Sequence, residues 1–214
     1  MKNFMIYLAS KSPRRAELLT QMGVTFELLL PDAGEDAESL ETVLPNENPS
    51  VYVARVTQNK LLAAVARHRR RGMAIAPVLT SDTTVAVGGT ILGKPKDTNE
   101  AYAMLALLSG RTHRVITAVG VAKGENLQRT KVLLQTSRVT FARIPKEWIE
   151  HYCVGTEPYD KAGGYGIQGT IAPWVKRIEG SYSGIMGLPL YETAKLLGLH
   201  HAHRQRNTDP SHNA

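Results

Sequence analysis

An apolar run at 4–9, Phe-Met-Ile-Tyr-Leu-Ala, gives way at once to Ser10-Lys11-Ser12-Pro13-Arg14-Arg15. A short apolar run closed by polar residues reads as a buried strand. Pro at the first helical position, with Ser before it, reads as a helix start. Gly23 stands just past the end of that helix, and 24–30 is a second strand. The pattern continues down the chain. A helix is predicted from Ser50 to about His68 and a buried strand over 74–80, ending at Thr80-Ser81-Asp82-Thr83-Thr84. Gly88-Gly89 turns a hairpin between VAV and TIL, and Asp97 or Thr98 caps a helix that stops at Gly110. Strands follow at 113–122 and 127–143, then a helix from Pro145 to Val154, a strand at 172–178 and a helix from Pro189 to Leu197. Helices alternating with strands and hairpins imply an α/β fold with a mixed, twisted sheet flanked by helices.

Several classes are excluded early. No run of 18 apolar residues exists, so no membrane-spanning helix is expected, and the N-terminal apolar stretch is too short for a signal-peptide core. Cys153 is the single cysteine, so a disulfide framework is impossible, and a reducing, cytoplasmic setting is expected. The formal charge of +7 raises the question of nucleic acid. Much of the excess lies in Arg67-His68-Arg69-Arg70-Arg71 and in the tail, where Arg204 and Arg206 stand among histidines. These read as a solvated loop and a disordered segment, dividing the chain into one domain at 1–198 and a tail at 199–214. No interleaving of aromatic and basic residues suggests an RNA-binding sheet, so nucleic acid is disfavoured as a partner.

Four segments can carry chemistry. Ser10 to Arg15 sits at a strand-to-helix junction, where unpaired N–H groups and the helix dipole attract anions and Arg14 and Arg15 add forked donors. Ser81-Asp82-Thr83 closes an apolar strand, the position at which α/β sheets face ligands; its carboxylate suits a divalent cation or proton transfer from water. Gly88 to Lys94 fits GxxxxGK, but Pro95 supplies no hydroxyl and 90–92 reads as strand, so a P-loop is rejected. Lys94 is left as a point charge. In Glu157 to Gly169, glycines at 163, 164, 166 and 169 allow close backbone approach to a ligand, and Gln168 has a two-pronged amide. The acidic segment 31–49 holds Asp32, Glu35, Asp36, Glu38, Glu41 and Glu47 without a Lys or Arg. It reads as a long loop of the kind that is usually functional or mobile.

Together LASKSPRR at 8–15, SDTTV at 81–85, GKP at 93–95, SGRTHRVITAV at 109–119, EPYDKAGGYGIQG at 157–169 and GSYSGIMGLPL at 180–190 resemble the Maf family of nucleoside triphosphate pyrophosphatases, in family order over about 6–198. The resemblance implies two lobes around a central cleft, cleavage between the α and β phosphates, Mg2+ or Mn2+ as cofactor, and often a homodimer. It assigns proton acceptance to Asp82, substrate specificity to Arg14, Thr83 and Gln168, and phosphate binding to Ser10, Arg15, Lys60 and Lys94. The family's acidic pair after the second strand is matched by Glu35-Asp36, giving Glu35, Asp36 and Asp82 as candidate metal ligands. DKAGGYGIQG is similar to the branch acting on dTTP and UTP. The alternatives are the branch acting on N7-methyl-GTP and a nucleotide-binding regulator of septum formation.

Overall fold

The computed structural model describes residues 5–36 and 39–202; the expected disordered tail lies, from 203 on, outside the described residues. A seven-stranded sheet runs through the molecule with Thr25–Leu28, Met5–Leu8, Val78–Val87, Thr112–Lys123, Arg129–Phe141 and Val175–Glu179 in that spatial order, and Thr90–Leu92 paired to Val78–Val87. Strands β1 (Met5–Leu8), β2 (Thr25–Leu28) and β3 (Val78–Val87) are mutually parallel. Strands β4 (Thr90–Leu92), β5 (Thr112–Lys123), β6 (Arg129–Phe141) and β7 (Val175–Glu179) add antiparallel pairs.

Helix α1 (Pro13–Gln21) links β1 to β2, and α2 (Pro49–Arg70) links β2 to β3 on the other side of β1. The two crossovers move along the sheet in opposite directions. Keeping both right-handed therefore sends the helices to opposite faces. Alternation along the strands records this: Ile6 and Leu8 pack with Leu18 and Leu19 of α1, while Tyr7 and Val78 pack with Leu61, Ala64 and Val65 of α2. The α1 face also carries α3 (Thr98–Leu108) and α4 (Lys146–Val154), which cluster with Val85, Val115 and Phe141 at the far end of the sheet. Between the two apolar clusters on that face runs a crevice, closed at one side by α5 (Tyr182–Met186) and α6 (Leu190–Leu197). Helix α7 (Leu199–Ala202) follows α6 directly.

The strand expected at 74–80 instead begins at Val78 and runs unbroken through Ser81-Asp82-Thr83 to Val87. Its length has a consequence for its edge. β1 pairs with β3 only at Val78 and Leu79, and β4 takes the same edge only from Val85. Over 80–84 that edge has no strand partner among the described residues, while β5 pairs continuously on the other side. The sheet forks at Asp82.

The basic run 67–71 is not a solvated loop but the last turn and C-cap of α2. Cations there oppose the negative end of the helix dipole, and the acidic segment supplies counter-charges. Arg67, 4% exposed, donates to both carboxylate oxygens of Glu35 and to Leu29 O at 2.9 Å. Arg70 reaches Asp32 at 2.6 Å and Glu35 at 2.5 Å, and Arg71 reaches Asp32 as well. These guanidiniums hold the Asp32 carboxyl down at about 2. Further along, Glu47 forms a two-pronged pair with Arg55 at 2.7 Å on each oxygen, and Tyr52 donates to Glu41 O at 2.9 Å. The acidic segment is thus fastened along the length of α2. Breaking a buried pair costs several kcal/mol because it strands the surviving charge. Since Glu35 is 25% exposed, Glu35→Ala is expected to destabilise the fold by about 2 kcal/mol, a discounted value, in urea denaturation with an unchanged m-value. A loss below about 0.5 kcal/mol, the scale of an exposed pair, would show that the clamp contributes nothing.

Candidate active site

A cleft of about 440 Å³ opens at the fork and is lined from both faces of the sheet. Ser10, Arg14 and Arg15 enter from the β1–α1 junction, and Lys60 enters from α2. Asp82 and Thr83 come from the unpaired edge of β3, and Lys94 from the turn after β4. Strand alternation divides the labour. Asp82 faces α2, where Lys60 Nζ donates to its Oδ1 at 2.5 Å. Ser81 and Thr83 face the opposite crevice. The Ser81 hydroxyl lies 2.8 Å from Ala118 O and 2.9 Å from Gly187 O, and the Thr83 hydroxyl lies 2.9 Å from that of Thr117, which donates to Gly184 O at 2.7 Å.

The same Lys60 Nζ donates to Glu41 Oε1 at 2.7 Å, and Lys94 Nζ donates to Glu41 Oε2 at 3.1 Å. Charges therefore alternate Asp82, Lys60, Glu41, Lys94 across the cleft floor. Burial pushes the Glu41 carboxyl up, but Lys60 and Lys94 outweigh it and hold it below the usual carboxylate range. Glu41, which the sequence reading did not single out, lines the cleft, whereas Glu35 and Asp36 were the acids expected there as metal ligands. Glu35 is spent on Arg67 and Arg70, the Asp36 carboxylate accepts the Ser39 N–H at 3.0 Å, and neither lines the cleft. The missed signal was spacing: a 3-10 turn at Ser39–Glu41 carries the segment back to the middle of α2.

Arg15 is fixed rather than free. Its Nε donates to Gly187 O at 2.9 Å and its Nη1 to Ser10 Oγ at 3.0 Å. Burial lowers its pKa while Asp82 opposes the shift, and a guanidinium stays charged regardless. Gly187 sits at φ +113, and a Cβ there would lie 3.4 Å from the Arg15 side chain and 3.5 Å from Thr83 Oγ1. Glycine suits both the left-handed backbone and the close approach. Arg14 reaches across the cleft mouth to Asp160 at 3.7 Å.

The glycine-rich segment forms the opposite wall. Gly163 adopts φ +73 and donates its N–H to Gly93 O at 2.9 Å, packing so tightly that a Cβ would meet Val85 at 3.0 Å. Lys161 and Tyr165 line the cleft, but Gln168 is exposed and lies outside its lining. Tyr165 is anchored from behind: its hydroxyl lies 2.6 Å from His113 Nε2, and both rings pack against Phe141. Among the described residues, no three metal-ligating side chains cluster, and no helix is long and apolar enough to cross a membrane.

A forked α/β sheet whose cleft sets guanidinium and ammonium groups around Asp82 and Glu41 defines a protein built to handle a polyphosphate anion. The chain belongs to the Maf family: the family model described as Maf-like protein matches residues 5–200. It is 61% identical over 198 residues, 91% of this chain and 98% of the relative, to a dTTP/UTP pyrophosphatase of Cupriavidus metallidurans. It is 57% identical over 192 residues, 90% of this chain and 94% of the relative, to a dTTP/UTP pyrophosphatase of Albidiferax ferrireducens. The solved structure of a HAM1 protein from Coxiella burnetii overlaps 66% of this chain and 75% of its own at 14% identity, with a TM-score of 0.42.

The wall behind the cleft titrates. Burial depresses His113 to about 4 from 6.5, and its Nδ1 has no partner among the described residues, so protonation would strand a second N–H in the core. A histidine depressed in the fold contributes stability that is complete above the unfolded pKa near 6.5 and is lost as pH falls towards 4. The loss is expected to approach roughly 3 kcal/mol at its limit. His113→Gln, which keeps a partner for Tyr165 and does not titrate, is expected to flatten this stretch of a stability-versus-pH curve measured by denaturant midpoint. An unchanged slope would remove His113 from the acid response.

Proposed function

We propose that this chain hydrolyses nucleoside triphosphates, dTTP and UTP foremost, to the monophosphate and pyrophosphate. The single observation carrying the reading is the alternating chain of Asp82, Lys60, Glu41 and Lys94 beside Arg14 and Arg15, within one cleft. Seven lysines and arginines line the cleft against three carboxylates, so a polyphosphate enters an attractive field. Arg15 and Ser10, held by their mutual hydrogen bond, orient the phosphate tail, and Lys60 and Lys94 neutralise charge that grows on the leaving phosphates. Water attacks the α-phosphorus in line. Its proton passes to the Asp82 carboxylate as the bond from the α-phosphorus to the bridging oxygen breaks, and pyrophosphate departs.

The donor set fits a divalent cation. Two carboxylates converge on one ammonium at 2.5 and 2.7 Å, and Mg2+ is commonly held by one or two carboxylates together with substrate phosphates. Asp82 and Glu41 are the residues that would hold Mg2+ or Mn2+, which when bound supplies electrostatic neutralisation of the phosphates. Glu41 takes the place that Glu35 and Asp36 held in the expectation from sequence. Arg14 and Thr83 read the base from the crevice wall. The motif assigns Gln168 to base recognition as well.

Asp82→Asn is expected to lower kcat by about 100-fold or more, the scale of a lost proton acceptor, with nucleotide binding and melting temperature retained. Glu41→Gln is expected to raise the metal concentration needed for half-maximal rate. The measurement is pyrophosphate release from a panel of dTTP, UTP, the purine triphosphates and N7-methyl-GTP, with Mg2+ and then Mn2+. Full activity of Asp82→Asn, or a preference for N7-methyl-GTP, would overturn the reading.

A further inference from the structure

The cleft does not stop at the floor of alternating charges. It continues along α2 past Lys60 and Ala63 to Arg67, with Pro31 and Leu40 at its sides. Residues 60, 63 and 67 fall on one helical stripe, and seven residues span about 10 Å of helix axis. The methyl group of Ala63 leaves the space between the two cations open. Arg67 is buried, yet three of its N–H groups are enough for Glu35 and Leu29 O. A guanidinium has five, so two have no acceptor among the described residues. The surrounding cluster counts Arg67, Arg70 and Arg71 against Asp32 and Glu35, which leaves one net positive charge. Apolar walls weaken the screening of that charge.

We infer that Arg67 forms an anion subsite at the inner end of the cleft, which takes the diphosphate half of the substrate and retains it as pyrophosphate after cleavage. This deepens the proposed hydrolysis and rests on it. Lys60 and Arg67 line the same cleft, and a diphosphate has a second charged group for the far cation where a monophosphate has none. Arg67 also fastens the segment after β2, so a test must separate binding from folding.

Calorimetric titration of the full chain with inorganic pyrophosphate alone, and separately with UMP, makes that separation without any turnover. Arg67→Met is expected to weaken pyrophosphate binding about tenfold or more and to leave UMP binding within twofold. Arg67→Lys keeps a point charge but loses the fork, and is expected to weaken pyrophosphate binding about threefold; it decides the question if Arg67→Met does not fold. Unchanged pyrophosphate affinity, equal weakening of both ligands, or no pyrophosphate binding by the unaltered protein would each overturn the subsite. Failure of the unaltered protein to hydrolyse any triphosphate while still binding pyrophosphate through Arg67 would instead overturn the proposed hydrolysis and leave the anion subsite standing.

Discussion

Everything at the site depends on one strand changing partners. β3 leaves β1 after Leu79 and meets β4 only at Val85. The intervening edge is held in register from one side by β5 alone. A strand paired on both edges would bury its backbone and offer only alternating side chains. A strand paired on one edge offers a rigid carrier with open space beside it. Asp82 and Thr83 gain precision from the β5 ladder and access from the missing neighbour, and the parallel strands deliver the start of α1 to the same gap.

The electrostatics follow from that placement. Cations brought close together repel unless carboxylates stand between them. Lys60 is shared by Asp82 and Glu41, and Glu41 is shared by Lys60 and Lys94. Each charge in the chain has an opposite neighbour, so the fold tolerates these charges at close quarters. Arg15 uses a backbone carbonyl and a hydroxyl instead of an acid, Gly187 O and Ser10. That choice leaves its positive charge without a paired acid at the cleft, where a phosphate can meet it.

The acidic segment serves two ends of α2. Asp32 and Glu35 neutralise the basic C-terminal turn, Glu47 binds Arg55, and among the described acids of the segment only Glu41 lines the cleft. Carboxylates close in sequence thus divide between holding the fold and building the site, and the division is decided by which cation of the helix each one faces.

Much of this was legible from residue order. Apolar runs and their punctuation by Pro13, Gly23, Gly88-Gly89 and Asp97 marked the elements, because capping and turn chemistry are local. The motifs around Ser10, Asp82 and Lys94 marked groups of the right charge. Other features required the folded chain. Neither the continuity of β3 through Ser81-Asp82-Thr83 nor the burial of Arg67 could be read locally, since both depend on partners distant in sequence. The placing of Glu41 beside Lys60 is of the same kind: the acids of the segment look alike along the chain, and only its folding onto α2 brings Glu41 to Lys60 and Glu35 to Arg67. Local sequence determined the elements and the inventory of charges; long-range packing decided which charges meet, because a carboxylate's role is set by the cation within reach of it.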